Sequence, residues 1–151
     1  MEFRFLYRFL NFDENPDDGL KAKDPAATAR LVDHVAYGSW GQRSQYISTC
    51  SDYSYVRNLA RISYNSTIRI VKIDTEKLRV TSSARIIDLT TDEARKKHFE
   101  ETDLMSNAYS RADGFASRFS EVVIEGYVPS SCVQLIFNGS KDELPVSEPG
   151  I

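Results

Sequence analysis

From Glu2 to Leu10 the chain alternates strictly, with Phe3, Phe5, Tyr7 and Phe9 on one face and Arg4, Leu6, Arg8 and Leu10 on the other. A period of two is a strand's period, so the chain is expected to open with a strand whose aromatic face turns to the core. Arg8 then shares a face with two leucines, where a guanidinium either sits at a rim or holds an anion. Both readings stay open from this segment.

The strand has to find partners within 151 residues, of which 41% are hydrophobic and 27% charged. One domain of that size buries roughly two thirds of its unfolded surface, enough for a core without disulfides or structural metals. Nineteen Lys and Arg stand against 22 Asp and Glu, for a net charge of −3. That balance argues against a nucleic-acid binder driven by long-range attraction, while leaving room for a local basic groove. Cys50 and Cys132 are read as reduced core residues, and with His34 and His98 the only histidines there is no metal-ligand spacing. Glu2, Arg4 and Arg8 interrupt the apolar N-terminus, so neither a signal peptide nor a membrane span is expected. The expected setting is the cytoplasm, or a host cell reached by a route that the sequence does not display.

Asn11 to Lys23 reads as a long polar loop. A helix is expected after it, capped by Asp24, with Pro25 in the first turn, Ala27, Leu31 and Val35 on one stripe, His34 beside that stripe, and a stop near Gly38. Gln45 to Thr49 is a short strand, and Ser51 and Asp52 can cap a second helix through Val56, Leu59 and Ala60. Thr67 to Ile73 and Arg85 to Leu89 are further strands. Thr90 to Arg118 is charged and polar, with Thr91 and Asp92 able to start a helix, and reads as a surface excursion in which Arg95, Lys96 and Lys97 form a solvated face. Glu121 to Ile124 and Val133 to Phe137 are the last strands, joined through Gly126-Tyr127-Val128-Pro129. Residues 1–137 make the domain and 138–151 a polar tail expected to fray. The expected class is α+β, mostly antiparallel, with a two-sheet core and two early helices.

Three features rise above this background: the Arg8 strand, Tyr46-Ile47-Ser48-Thr49-Cys50, and Glu121 at the head of a strand ending in Gly126-Tyr127-Val128-Pro129. With the Asp33-His34 pair on the helix segment Leu31 to Ala36, their order resembles the ADP-ribosyltransferase family, in its cholera-toxin and heat-labile-enterotoxin branch, marked by Arg, Ser-Thr-Ser and Glu. Cys50 stands where the third small polar residue of that signature would be. The resemblance runs from residue 6 to about 137.

It implies a mono-ADP-ribosyltransferase-type enzyme that cleaves NAD and passes ADP-ribose to a macromolecule, protein in preference to nucleic acid, in a toxin, effector or defence role. The bond between nicotinamide and ribose breaks through an oxocarbenium-like state, which a carboxylate at the ribose hydroxyls stabilises. That role falls to Glu121. Ser48 orients Glu121, and Arg8 offers a fork of donors to the dinucleotide. Tyr46, Thr49 and His34 complete the expected NAD contacts, with Tyr53, Tyr55 and Tyr64 as further flat surfaces. No glycine-rich dinucleotide fingerprint is present.

Phe119 and Ser120 fall on the acceptor side. Arginine-modifying relatives carry Glu two positions before the catalytic Glu, where this chain has Phe119, so arginine is a poor acceptor unless Ser120, Glu125 or Asp113 substitutes. NAD hydrolysis, or an inactive binding module of the same fold, are the alternatives.

Overall fold

A computed structural model describes residues 3–38, 43–99 and 106–150. Gly38-Ser39-Trp40-Gly41, whose composition breaks the chain between the first expected helix and the next strand, lies mostly outside these residues. The strands are β1 (Phe5–Phe9), β2 (Tyr46–Cys50), β3 (Thr67–Asp74), β4 (Arg85–Asp88), β5 (Glu121–Glu125) and β6 (Val133–Ser140). The helices are α1 (Leu31–Tyr37), α2 (Tyr53–Ile62), α3 (Thr75–Thr81), α4 (Asp92–His98) and α5 (Asn107–Phe119). The class is α+β, as expected.

The expectation of two sheets is corrected. The described strands form one antiparallel sheet in the order β4-β5-β2-β1-β3-β6. Its two halves are nevertheless loosely joined. β1 matches β3 over five positions and β2 matches β5 over five, whereas β1 meets β2 in register only at Tyr7 and Cys50. One sheet with a sparse central joint gives the same run of short strands as two sheets, which is why the sequence does not separate them.

Both faces of β1 are covered, contrary to a single aromatic core face. Leu6 and Leu10 pack with Ile47, Val71, Ile73, Val122 and Ile124 on one side. Tyr7, flanked by Phe5 and Phe9, packs under α2 with Val56 and Ala60 on the other. A strand covered on both sides buries both residue sets, and the leucines end up drier than the flanking phenylalanines.

α1 begins six residues later than the Pro25 signal suggests. The Gln45 side chain accepts from Ala29 N–H (2.9 Å) and donates to Ala29 O (3.1 Å). It thereby takes both groups that a helical turn would use, and residues 27–30 stay without regular structure. The stretch read as a surface excursion is also corrected. Ser106 caps α5, and Tyr109, Ala112, Ala116 and Phe119 form a buried stripe, with Ala112 and Ala116 packing in the same cluster as Val32, Val35 and Ala36 of α1. Arg95 is 3% exposed, not solvated. It donates to Asp113 (2.8 Å) and Leu89 O (3.1 Å) and pairs with Asp92, tying α4 to α5.

β6 runs to Ser140, and the chain beyond it packs back instead of fraying. Leu144 is buried, Pro145 O accepts from Tyr53 (2.7 Å) and Arg57 (2.8 Å), and Glu148 pairs with Lys72 and Tyr7. Cys50 and Cys132 are free and buried. No helix among the described residues is long and apolar enough to cross a membrane.

Candidate active site

Arg8, Ser48 and Glu121 lie on β1, β2 and β5, which are adjacent in the sheet, and the sparse β1–β2 joint brings them together. Arg8 Nη1 donates across that joint to the Ser48 carbonyl oxygen at 2.8 Å. Beside it opens a cavity of about 930 Å³, lined by all three residues and by the loop between β1 and α1. Its size falls in the upper part of the roughly 300–1,000 Å³ range of small-molecule sites.

Glu121 enters this wall through a sharp turn. α5 ends at Phe119, Ser120 takes φ 49°, and β5 begins at the next residue. The left-handed region is unusual for a residue with a side chain, and here it reverses the chain within one position. The Ser51 N–H fixes the turn by donating to Ser120 O at 3.0 Å.

Glu121 is 2% exposed, and its Oε2 has no hydrogen-bond partner among the described residues. Burial pushes its pKa up to about 8, against the pull of the Ser48 hydroxyl, the Thr49 N–H and the Arg8 charge. A buried carboxyl oxygen left without a donor is costly, and such orphans call for an explanation. A ligand hydroxyl would partner that oxygen, accepting from it while the acid is protonated and donating to it once Glu121 ionises.

A polar chain stands behind Glu121. Ser44 Oγ lies 2.6 Å from His34 Nδ1, and His34 Nε2 lies 2.8 Å from Ser48 Oγ. Burial and the Arg8 charge lower the His34 pKa to about 4, so the ring is neutral near pH 7. The Ser48 hydroxyl donates to Glu121, so its oxygen is left to accept from His34 Nε2–H, and Nδ1 then takes the Ser44 hydrogen. In this tautomer the neutral ring carries its hydrogen on Nε2, while Ser44 Oγ also accepts the Tyr46 N–H at 3.1 Å. His34 is thus buried and hydrogen-bonded at both nitrogens.

The remaining candidates divide. Tyr46 lines the cavity edge-on to the His34 ring, at 5.5 Å. Thr49 lines it too, but its hydroxyl donates to Val122 O at 2.5 Å. Phe119 is a buried wall residue whose ring packs, tilted, 4.7 Å from that of Phe115, and it ends a helix instead of preceding Glu121 along a strand. Tyr53, Tyr55 and Tyr64 do not line the cavity. Glu125 faces Arg85 at 2.8 Å, and Asp113 is held by Arg95.

Sequence reasoning missed Tyr37 and Arg111, which line the cavity, and also Glu14 and Ser44. Glu14 takes the Arg8 fork at 2.9 and 3.1 Å, and Ser44 closes the histidine chain. Both lie in irregular segments, where no periodicity marks a side chain's direction.

No family model matches the chain, and no curated protein matches it. A solved structure, EcPltA, superposes on it with a TM-score of 0.57 at 13% identity, covering 99% of this chain and 94% of that one. The single antiparallel sheet and its surrounding helices therefore form a fold that resembles the ADP-ribosyltransferase fold of PltA.

Proposed function

We propose that the chain is a mono-ADP-ribosyltransferase that cleaves NAD at the bond between nicotinamide and ribose and transfers ADP-ribose to a macromolecular acceptor other than arginine. The observation that carries this reading is Glu121: a buried carboxyl in the wall of a large cavity, with one oxygen unpartnered among the described residues, backed by Ser48 and His34. The likeness to the fold of EcPltA supports it.

In this reading Glu121 acts in its ionised form, whose share grows as pH approaches 8, and a ribose hydroxyl donates to its Oε2. The hydrogen bond strengthens as the C1′–N bond lengthens and positive charge spreads over the ribose ring, so it favours the transition state over bound NAD. Nicotinamide leaves with the bonding electrons, and the acceptor heteroatom attacks C1′ and releases its proton. Ser48 holds the carboxyl in line, and neutral His34 holds Ser48. Tyr46 offers a flat surface nearby.

Phe119 bears on the acceptor. Its buried ring has no group to pair with a guanidinium, and Glu125 and Asp113 are each engaged with an arginine. A neutral nucleophile suits such a wall better. Water in its place would give NAD hydrolysis.

Incubation of the protein with NAD and cell extract is expected to add an ADP-ribose group to extract proteins, read by mass spectrometry, and Glu121→Gln is expected to abolish it. Equal labelling by the variant would remove Glu121 from the reaction. Nicotinamide release without labelled protein would assign hydrolysis instead.

A further inference from the structure

Arg8, the cation that the sequence assigns to the dinucleotide, is already committed. Glu14 takes its Nε and Nη2 hydrogens at 3.1 and 2.9 Å, and Ser48 O takes one on Nη1 at 2.8 Å. The arrangement is braced: Asn11 N–H donates to Glu14 Oε1 at 2.8 Å, and Arg69 donates to the carbonyls of Glu14 and Asn11 at 2.8 and 2.7 Å. A forked ion pair of this kind leaves little net charge for a second anion. A pyrophosphate in the cavity therefore needs another cation.

Lys21 and Lys23 line the cavity from the same loop that brings Asp13, Glu14 and Asp18, so acidic neighbours accompany them. Arg111 comes from α5 instead. Its Nε–H donates to Ala36 O, in the last turn of α1, at 2.6 Å, and its guanidinium carbon lies 5.3 Å from the centre of the Tyr37 ring. No carboxylate among the described residues pairs with it, and neither Nη nitrogen has an acceptor among them. The side chain is thus held at its inner edge and over an aromatic face, with its outer donors free beside the cavity. Capping α1 needs only Nε. A guanidinium fixed in this way has lost its flexibility before a ligand arrives, which favours bidentate capture of a phosphate.

We infer that Arg111, braced by Ala36 and Tyr37, is the phosphate-binding residue of the cavity and takes the pyrophosphate of the dinucleotide, with Tyr37 beside it as an exposed flat surface. This rests on the reading of the cavity as an NAD site.

Isothermal titration of the full chain with ADP-ribose tests it, because ADP-ribose keeps the pyrophosphate and needs no turnover. Wild type is expected to bind, and Arg111→Gln, which retains a donor for Ala36 O, is expected to bind about tenfold to a hundredfold more weakly, as the loss of charge-assisted hydrogen bonds implies. An unchanged thermal midpoint shows that the loss is not one of folding. Wild-type affinity in the variant overturns the inference and leaves the proposed activity standing. Failure of wild type to bind either ADP-ribose or NAD overturns both. Should the variant unfold, the Arg111 Nε–H resonance of wild type decides: a shift on adding ADP-ribose supports the contact, and no shift rejects it.

Discussion

Ser48 carries three connections at once. Its carbonyl accepts from Arg8, its hydroxyl meets His34, and the same hydroxyl acts on Glu121. The type and order of these residues were legible in the sequence because each sits in or beside an apolar run whose periodicity fixes direction. The burial of Glu121 was not, since an acidic residue at a strand start normally faces water. Its effect on stability has a definite sign. The Glu121 pKa rises from an ordinary 4.5 to about 8 in the fold, so its contribution is fully present below pH 4.5 and is lost as pH climbs toward about 8. His34, lowered from 6.5 to about 4, contributes fully above pH 6.5 and loses that contribution as pH falls toward 4. Urea unfolding of wild type and Glu121→Gln between pH 5 and pH 8 isolates the first effect. Wild type is expected to lose ground steadily to the variant as pH rises; a constant difference would place Glu121 in solvent.

At the scale of elements, the site depends on where the sheet is weakly joined and on how the loop after β1 is fastened. Leu20 and Val128 exchange backbone hydrogen bonds at 2.8 and 3.0 Å, pinning the far end of that loop to the segment after β5. Gly126 makes this possible, with φ 125° and space so tight that a Cβ would meet Ala84 Cα at 2.9 Å. Gly126→Ala is expected to destabilise the fold by about 1–3 kcal/mol, seen as a lower urea midpoint at unchanged slope. A change within about 0.5 kcal/mol, the range of an ordinary surface substitution, would mean that the turn relaxes freely. Gly126 stood out in the sequence, and so did β1, β2 and β5, whose apolar runs are compact. α5 did not, because two of the residues on its buried stripe are alanines inside a polar composition. The start of α1 was misplaced because Gln45, 16 residues beyond Ala29, satisfies the backbone that a local signal assigned to a helix.

Across the whole molecule, a net charge of −3 supplies no general attraction for a dinucleotide. Binding has to come from placed groups inside one cavity, and the forked pair of Arg8 with Glu14 shows how closely charge is balanced there. The segment after β6 adds to the same economy: Glu148 sits on Lys72 and Tyr7, so that the chain's end covers the face of the sheet behind Arg8. Acceptor and phosphate contacts both presuppose cleavage of NAD, and nicotinamide release by purified protein reads that cleavage. Wild type is expected to release nicotinamide from NAD, and Glu121→Gln to lower kcat by about a hundredfold or more while leaving NAD affinity within a few fold, since the lost interaction matters as charge develops. Undiminished release by Glu121→Gln would take Glu121 out of the reaction, and wild-type protein that leaves NAD intact with and without acceptor extract would rule out the proposed activity.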